Sequence, residues 1–452
     1  MRLPAVSRQG RAGHSLEESQ AVKNLFDGRL RWLLIFWMFL MSAIAYLDRV
    51  NVSIAGQAIQ KDFNLSNVQL GYVFSAFVIG YALFQAPGGY LADKYGPRMV
   101  IVWGVVWWGV FTTLTAWTPT TLAWSITLLI VMRFLLGLGE AVVYPSSNRL
   151  VAAWIPSQER GLANGLIFAG VGAGAGITPP LITYVLLNYG WRWSFYVCAI
   201  IGLIAGAIWL WLARDTPGAH PWISQRELDH INKGLPPAAK DIEKSKGLPL
   251  GAILKDRNII FLSISYFAFG YVAYIFFTWF FIYLSRVRGL DLKASALYSM
   301  LPFIAMATAS SVGGWVADIL TKKYGKRVGR CGQALFGMAL AGVFLALATQ
   351  VESARVASIV LAGGAGALYL SQSAFWAVTA DVAGSSAGTA SGLMNMGGQI
   401  GGAVTASLTP YIADQFGWTA SFLTAAALCI IGALSWVPVN PDRPIAQPGT
   451  GA

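Results

Sequence analysis

The stretch Ile44-Ala45-Tyr46-Leu47-Asp48-Arg49-Val50-Asn51-Val52-Ser53 lies inside an apolar run from Trp32 to Ala58. About 20 apolar residues suffice for one helical crossing of a bilayer, so the run reads as a membrane span. An acid and a base stand side by side in it, each costing on the order of 3 kcal/mol near a helix centre. Two readings fit such a pair: an ion pair that pins two helices, or a binding and coupling centre facing a watery cavity and a charged ligand. The rest of the chain favours the second.

The 452 residues are 56% hydrophobic and only 12% charged, against about 25% charged in soluble proteins. This is the composition of a polytopic membrane protein embedded in a lipid bilayer. The net charge of +12 is read as serving membrane topology, so no nucleic-acid partner is expected. Cys198, Cys331 and Cys429 fall in or beside separate apolar segments, too sparse for a disulfide framework. His14, His220 and His230 all lie in polar tail or loop. A proton-coupling group inside the membrane is therefore expected to be a carboxylate, with protons as the coupling ion and no metal or other cofactor. The first 31 residues are polar and basic, and the first apolar run is too long for a cleavable signal.

Residues 1–31 read as a cytoplasmic tail, in which Ser15-Leu16-Glu17-Glu18 can cap a short surface helix. Spans are expected at about 32–58, 66–91, 99–118, 120–147, 160–187 and 191–213, an N-terminal bundle over 32–213. A Pro- and Lys-rich central loop, 214–257, carries Lys233, Lys240, Lys244 and Lys246 and is expected to lie on the cytoplasmic face near anionic lipid. Six more spans follow at about 258–285, 294–320, 327–349, 353–380, 385–413 and 417–438, a C-terminal bundle over 258–438 before a tail at 439–452. With both ends inside, 24 of the 32 Lys and Arg fall on the cytoplasmic side, six in outer loops, and Arg49 and Arg133 within the membrane. That asymmetry fits an even number of spans and cytoplasmic termini.

The two halves repeat. Gly165-Leu166, Gly170, Gly174, Thr178, Gly190-Trp191 and Ser194-Phe195 recur 227 residues later as Gly392-Leu393, Gly397, Gly401, Thr405, Gly417-Trp418 and Ser421-Phe422. Gly88-Gly89-Tyr90-Leu91-Ala92-Asp93 likewise matches Gly313-Gly314-Trp315-Val316-Ala317-Asp318. The expected fold is all-α: twelve transmembrane helices in two pseudo-symmetric six-helix bundles, with a ligand between them near the midplane. A duplicated channel or membrane enzyme is weighed against this by reading the site.

Span four carries Arg133, Gly137, Glu140 and Tyr144, spaced to form one helical stripe. Together the four membrane charges cost roughly 10 kcal/mol to bury, more than a packing role that Leu would fill. Guanidinium stays charged and binds carboxylate in a two-pronged fork; a carboxylate can titrate. Tyr46, Arg49 and Ser53 share one face of span one and Asp48 and Asn51 the next, so Arg49 is expected to face substrate and Asp48 to face span four or the cavity edge. Phe74, Phe77, Tyr81 and Gln85 in span two, Tyr271, Tyr274 and Thr278 in span seven, Tyr369, Ser373 and Trp376 in span ten, and Asn395 and Gln399 in span eleven are further cavity candidates.

Between spans two and three, Gly89-Tyr90-Leu91-Ala92-Asp93-Lys94-Tyr95-Gly96-Pro97-Arg98 resembles the signature of the major facilitator superfamily. The resemblance implies a gate latch built on Gly89, Asp93, Gly96 and Arg98 that stabilises the outward-open state. In the second copy four extra residues separate Asp318 from Gly325-Lys326-Arg327, so the latch is expected chiefly of the first. Tyr46-Leu47-Asp48-Arg49, Arg133 with Glu140, Trp154-Ile155-Pro156 with Glu159-Arg160, and Thr216-Pro217, His220-Pro221-Trp222-Ile223-Ser224 and Glu227-Leu228 resemble the anion:cation symporter family within it, along nearly the whole chain. That family includes bacterial importers of sugar acids and other carboxylates.

The resemblance implies that Arg49 and Arg133 grip a substrate carboxylate. It makes Asp48 and Glu140 the protonation sites, and Tyr46, Tyr81, Ser373, Trp376 and Asn395 substrate contacts. Sugar-acid members often carry a glutamine near Val171 or Gly172; its lack here leaves shorter or aromatic carboxylates open. The expectation is a monomeric, proton-coupled importer of an organic carboxylate such as a sugar acid in a bacterial inner membrane, and not an enzyme. An aromatic or short dicarboxylate importer, an organophosphate exchanger and a transporter-like sensor are the alternatives.

Overall fold

The computed structural model describes residues 28–65, 67–235, 247–280 and 283–445. The expected cap at Ser15–Glu18, and Lys240, Lys244 and Lys246 of the central loop, lie outside the described residues. Among the described residues ten segments are long and apolar enough to cross a bilayer, and the last, Ala354–Leu434, runs 81 residues. As one helix it would extend about 120 Å, some four bilayer cores. Gly384–Ser386 and Gly417 divide it into three, so nine spans plus three make twelve.

Span one is Leu30–Asp62, span two Asn67–Tyr95 and span three Pro97–Trp117. Span four is broken into Ser125–Glu140 and Val143–Trp154, because Pro145 has no N–H and its ring crowds the carbonyl four residues back. It begins at Ser125 rather than near Thr120, after bends at residues 120–122 and a turn at Ala123 and Trp124. Spans five and six are Arg160–Tyr189 and Trp191–Leu212. Span seven is Arg257–Tyr274, continued through π-helical turns at Ile275–Trp279 and Tyr283–Val287. Span eight is Leu292–Tyr324, span nine a π-turn at Arg327–Gly332 leading into Gln333–Ala348, and span ten Ala354–Leu370 with Gln372–Ala383. Spans eleven and twelve meet at Gly417, whose φ of 84° matches the 87° of Gly190 between spans five and six. Only glycine takes that backbone without strain, so the repeated Gly-Trp pair sets the same tight turn in both halves.

Packing obeys the repeat. Span one lies against span five and span seven against span eleven, while three packs on six and nine on twelve. Between halves, span five meets span eight and span two meets span eleven. Glycine makes these contacts close: a Cβ on Gly165 would run into the Ser310 carbonyl, and one on its repeat partner Gly392 into that of Gln85. Exposed rings such as Trp117, Tyr184 and Phe416 towards one end, and Tyr95, Trp211 and Tyr324 towards the other, suit the two faces of a bilayer.

The first and last described helices and the central loop share one end of the bundle. The backbone N–H groups of Leu30 and Arg31 donate to Glu227 of the loop helix Gln225–Gly234 at 3.2 and 3.1 Å, and Asn258 exchanges hydrogen bonds with Asn440. In the same loop, burial pushes the His220 imidazole below its usual value. As the neutral ring it can accept from Trp222 N–H and donate to the Leu212 carbonyl.

At this end the halves are locked. Asp93 accepts from Gly388 N, Thr389 N and Thr389 Oγ1 at 2.9, 2.7 and 2.5 Å. Asp318 accepts from Gly161 N and Leu162 N at 2.9 and 2.7 Å. The N-caps of spans five and eleven make no side-chain cap bond of their own, so each helix is capped by an aspartate from the other half. The extra residues after Asp318 therefore do not prevent the second copy from making the first copy's bonds. Beside them Asp381 is buried among Arg160 (2.5 Å), Lys326 (3.3 Å) and Arg330 (3.4 Å). Hydrogen bonds between halves reach inward as far as Asn395 Nδ2 to Gln85 Oε1, 2.8 Å. Farther out, spans two and eleven part around a groove of about 740 Å³ lined by residues such as Ala82, Leu83, Ala403 and Ser407.

Two expectations follow for detergent-solubilised protein. Asp381→Asn leaves Arg160 and Arg330, both fully buried, uncompensated and destabilises by about 3–5 kcal/mol, whereas Asp93→Asn weakens a cap worth about 1 kcal/mol and one longer pair, with Arg149 at 3.4 Å; an equal or larger loss of melting temperature for Asp93→Asn would contradict this ranking. A double-mutant cycle of Gln85→Ala with Asn395→Ala is expected to yield a coupling of about 0.6 kcal/mol. Strict additivity would mean that the two amides do not bond.

Candidate functional site

Midway along the bundle, spans one, two, four and five of one half and seven, ten and eleven of the other enclose a cavity of about 40 Å³. It has room for a few waters, and any organic acid would have to expand it on entering. Arg49 stands beside it. Its Nη2 is 2.5 Å from Glu140 Oε1, with side-chain exposures of 15% and 1%. The guanidinium sits over the rings of Tyr46, Tyr81 and Phe77 at 4.7, 4.3 and 5.1 Å, and Nη1 donates to Tyr46 Oη at 3.4 Å. Ring faces attract a cation without carrying a charge that would itself need burying. Phe77 is shared with Arg133, whose guanidinium lies 5.0 Å from its ring.

Arg133 is buried, and its Nε and Nη1 have no hydrogen-bond partner; Glu140 Oε2 has none either. The charges of Asp48 and Glu140 both act on Arg133. Asp48 corrects the expectation drawn from helical spacing. It is fully buried and turns towards span three, where Oδ2 accepts from Trp108 Nε1 at 3.0 Å and Thr112 Oγ1 at 3.2 Å, and it does not line the cavity. Span four reaches it through the charge of Arg133. Of the four membrane charges, Arg49 and Glu140 thus pair beside the cavity, and Asp48 and Arg133 are buried off its lining.

Tyr46, Tyr81 and Asn395 line the cavity, as do Tyr274, Tyr369 and Gln399. Ser373 and Trp376 stand one layer behind: Trp376 Nε1 donates to Tyr266 Oη at 3.3 Å, and Ser373 Oγ is buried without a partner. Tyr271 instead packs in the core with its hydroxyl 3.3 Å from Thr409, and Thr278 bonds back to its own helix at Tyr274 O. Of the latch residues, Gly89 and Asp93 touch the opposite half; a Cβ on Gly89 would strike the Gly388 carbonyl. Gly96 and Arg98 face Asp215 within their own half, Arg98 N donating to Asp215 Oδ1 at 2.8 Å.

Sequence reading missed Phe168, Tyr266, Phe269, Ala273, Phe277 and Gln372, all of which line the cavity. For span seven a signal was present: Tyr266, Phe269, Gly270, Ala273, Tyr274 and Phe277 follow one helical stripe. Its residues are apolar enough to pass for core.

The chain matches the Major Facilitator Superfamily over residues 38–406 and again over 320–452. It is 33% identical over 422 residues to SauU of Cupriavidus necator, named a probable sulfoacetate transporter, covering 93% of this chain and 96% of that one. It is 32% identical to GudP of Bacillus subtilis, named a probable galactarate/D-glucarate transporter, over 89% of each chain. The hexuronate transporter of Bacillus subtilis is 29% identical, covering 89% of this chain and 92% of that one. Among solved structures, the proton:xylose symporter XylE bound to 6-bromo-6-deoxy-D-glucose superposes with a TM-score of 0.67 at 17% identity, over 88% of this chain and 94% of that one, a likeness of fold. A cavity walled by both halves and relatives matched along nearly their whole length, themselves named as transporters of organic anions, agree with the family match: the chain belongs to the Major Facilitator Superfamily.

Proposed function

We propose that this protein imports an organic carboxylate together with protons by alternating access, as a monomer in a bacterial inner membrane with both termini in the cytoplasm. The observation that carries the reading is the 2.5 Å pair of Arg49 and Glu140 beside the cavity. Arg49 is held by rings and by one acid, so an incoming carboxylate can take the place of Glu140 on the same guanidinium fork. Displaced from its partner in a sealed site, Glu140 takes up a proton rather than stay as an uncompensated buried anion. One carboxylate and one proton enter and the charge of the site is unchanged; a second proton on Asp48 would make transport of a monoanion electrogenic.

In this cycle Arg49 grips the substrate anion, Arg133 adds its charge from behind the lining, and Glu140 and Asp48 carry protons. Tyr46, Tyr81 and Asn395 contact the substrate, while Ser373 and Trp376 support the wall behind. Given cytoplasmic termini, the locked end faces inward and the conformation belongs to the outward-facing side of the cycle. Rocking the halves opens the caps at Asp93 and Asp318. At the higher inside pH the protons leave, and Glu140 regains Arg49 and expels the substrate. The relatives' names, for sulfoacetate, galactarate/D-glucarate and hexuronate, share an ionised organic acid, which supports the class of cargo.

Three measurements test this. In proteoliposomes, Glu140→Gln is expected to abolish uphill, proton-driven uptake while substrate exchange survives, and Arg133→Ala to weaken binding roughly a hundredfold or more; normal accumulation in the first or wild-type affinity in the second would remove that residue from its role. Uptake is also expected to rise as external pH falls at fixed sodium. A strict sodium requirement at constant pH would replace protons as the driving ion.

A further inference from the structure

We propose that the cavity selects a carboxylate with a flat, aromatic body over a polyhydroxylated one; this rests on the anion-importer reading above and narrows its cargo. Nine of the sixteen residues that line the cavity are aromatic, and rings are contributed by both halves. The wall from the N-terminal half is Tyr46, Tyr81, Tyr144, Phe168 and Val171, with no amide in it. The three amides, Gln372, Asn395 and Gln399, all come from the other half.

Most of the polar atoms around the cavity are already engaged with the protein. Gln372 Nε2 donates to Tyr266 Oη at 3.0 Å, and Asn395 Nδ2 donates to Gln85 at 2.8 Å. Gln399 Oε1 accepts from Tyr274 Oη at 2.7 Å, and Tyr144 Oη pairs with Ser42 at 2.7 Å. A substrate with a hydroxyl on nearly every carbon would have to break these bonds or bury its own hydroxyls against ring faces, and an unmatched buried hydroxyl is penalised in full. A flat ring requires neither, since it gains offset or edge-to-face contacts with the surrounding aromatics. Its carboxylate meets the guanidinium of Arg49, which already sits over Tyr46 and Tyr81. Charged head and apolar body thus have separate, adjoining places.

The test is ligand-induced thermal shift of the full chain in detergent, titrated with benzoate, cyclohexanecarboxylate, gluconate and sulfoacetate at one pH and ionic strength. Benzoate is expected to half-saturate at about tenfold lower concentration than gluconate, with cyclohexanecarboxylate and sulfoacetate weaker than benzoate. Val171→Gln, which adds an amide to the bare wall, is expected to narrow or reverse the benzoate-to-gluconate ratio; if this variant does not fold, the wild-type ranking decides alone. Gluconate or sulfoacetate binding as tightly as benzoate overturns the aromatic selection while leaving the anion grip intact. Cyclohexanecarboxylate matching benzoate overturns ring stacking. If no acid shifts the wild type more than it shifts Arg49→Ala, the anion-importer reading itself fails, and this inference with it.

Discussion

The arrangement depends on one constraint: charge in the interior of a bilayer has to be neutralised by whatever is at hand. Arg49 and Glu140 neutralise each other at 2.5 Å, and the three rings around Arg49 take up the remainder without adding charges of their own. Behind them, Asp48 spends one oxygen on Trp108 and Thr112 and leaves its other oxygen, and two nitrogens of Arg133, without hydrogen-bond partners. A core built for stability alone would not hold unsatisfied groups at its centre. Their presence near the pair of Arg49 and Glu140 supports the proposed exchange of partners at this centre.

The same constraint shapes the interface between the halves. At the terminus-bearing end, spans five and eleven begin without caps of their own and borrow aspartates from the opposite half. Local helix termination is thereby coupled to the relation of the two bundles: separating them uncovers two helix N-termini at once. Asp381 with its three cations adds a charge cluster to that end. Around Gly165 and Gly392 the helices touch backbone to backbone, with Ser310 Oγ donating to the Gly165 carbonyl at 3.0 Å. Farther out, the groove between spans two and eleven leaves that end less tightly joined.

The hydrogen-bonding groups around the cavity are largely engaged with one another. Gln85, Asn395, Gln399 and Tyr274 form a chain from span two to span eleven and back to span seven. It fastens the halves together across the cavity. A substrate that left this chain intact would load without unfastening the interface; one that competed for it would couple binding to opening. The aromatic lining favours the first course.

Apolar length, charge asymmetry and the 225- and 227-residue repeats were enough to read the twelve spans, the two bundles and the four membrane charges from the chain alone. Those properties are local or periodic, and a bilayer enforces them segment by segment. Helical spacing also placed Tyr46, Tyr81 and Asn395 on cavity-facing stripes. It could not say that Asp48 turns to span three, that Gly96 and Arg98 stay within their own half, or that Trp376 stands behind Tyr266 rather than beside the substrate. Nor could it show Asp318 capping span five despite the longer loop that follows it. Which neighbour a buried polar group meets is decided by how helices rotate and approach one another, and in a membrane many apolar faces serve equally well towards lipid or towards protein. The residue types therefore prescribe that a partner be found, and only the packed structure determines which one it is.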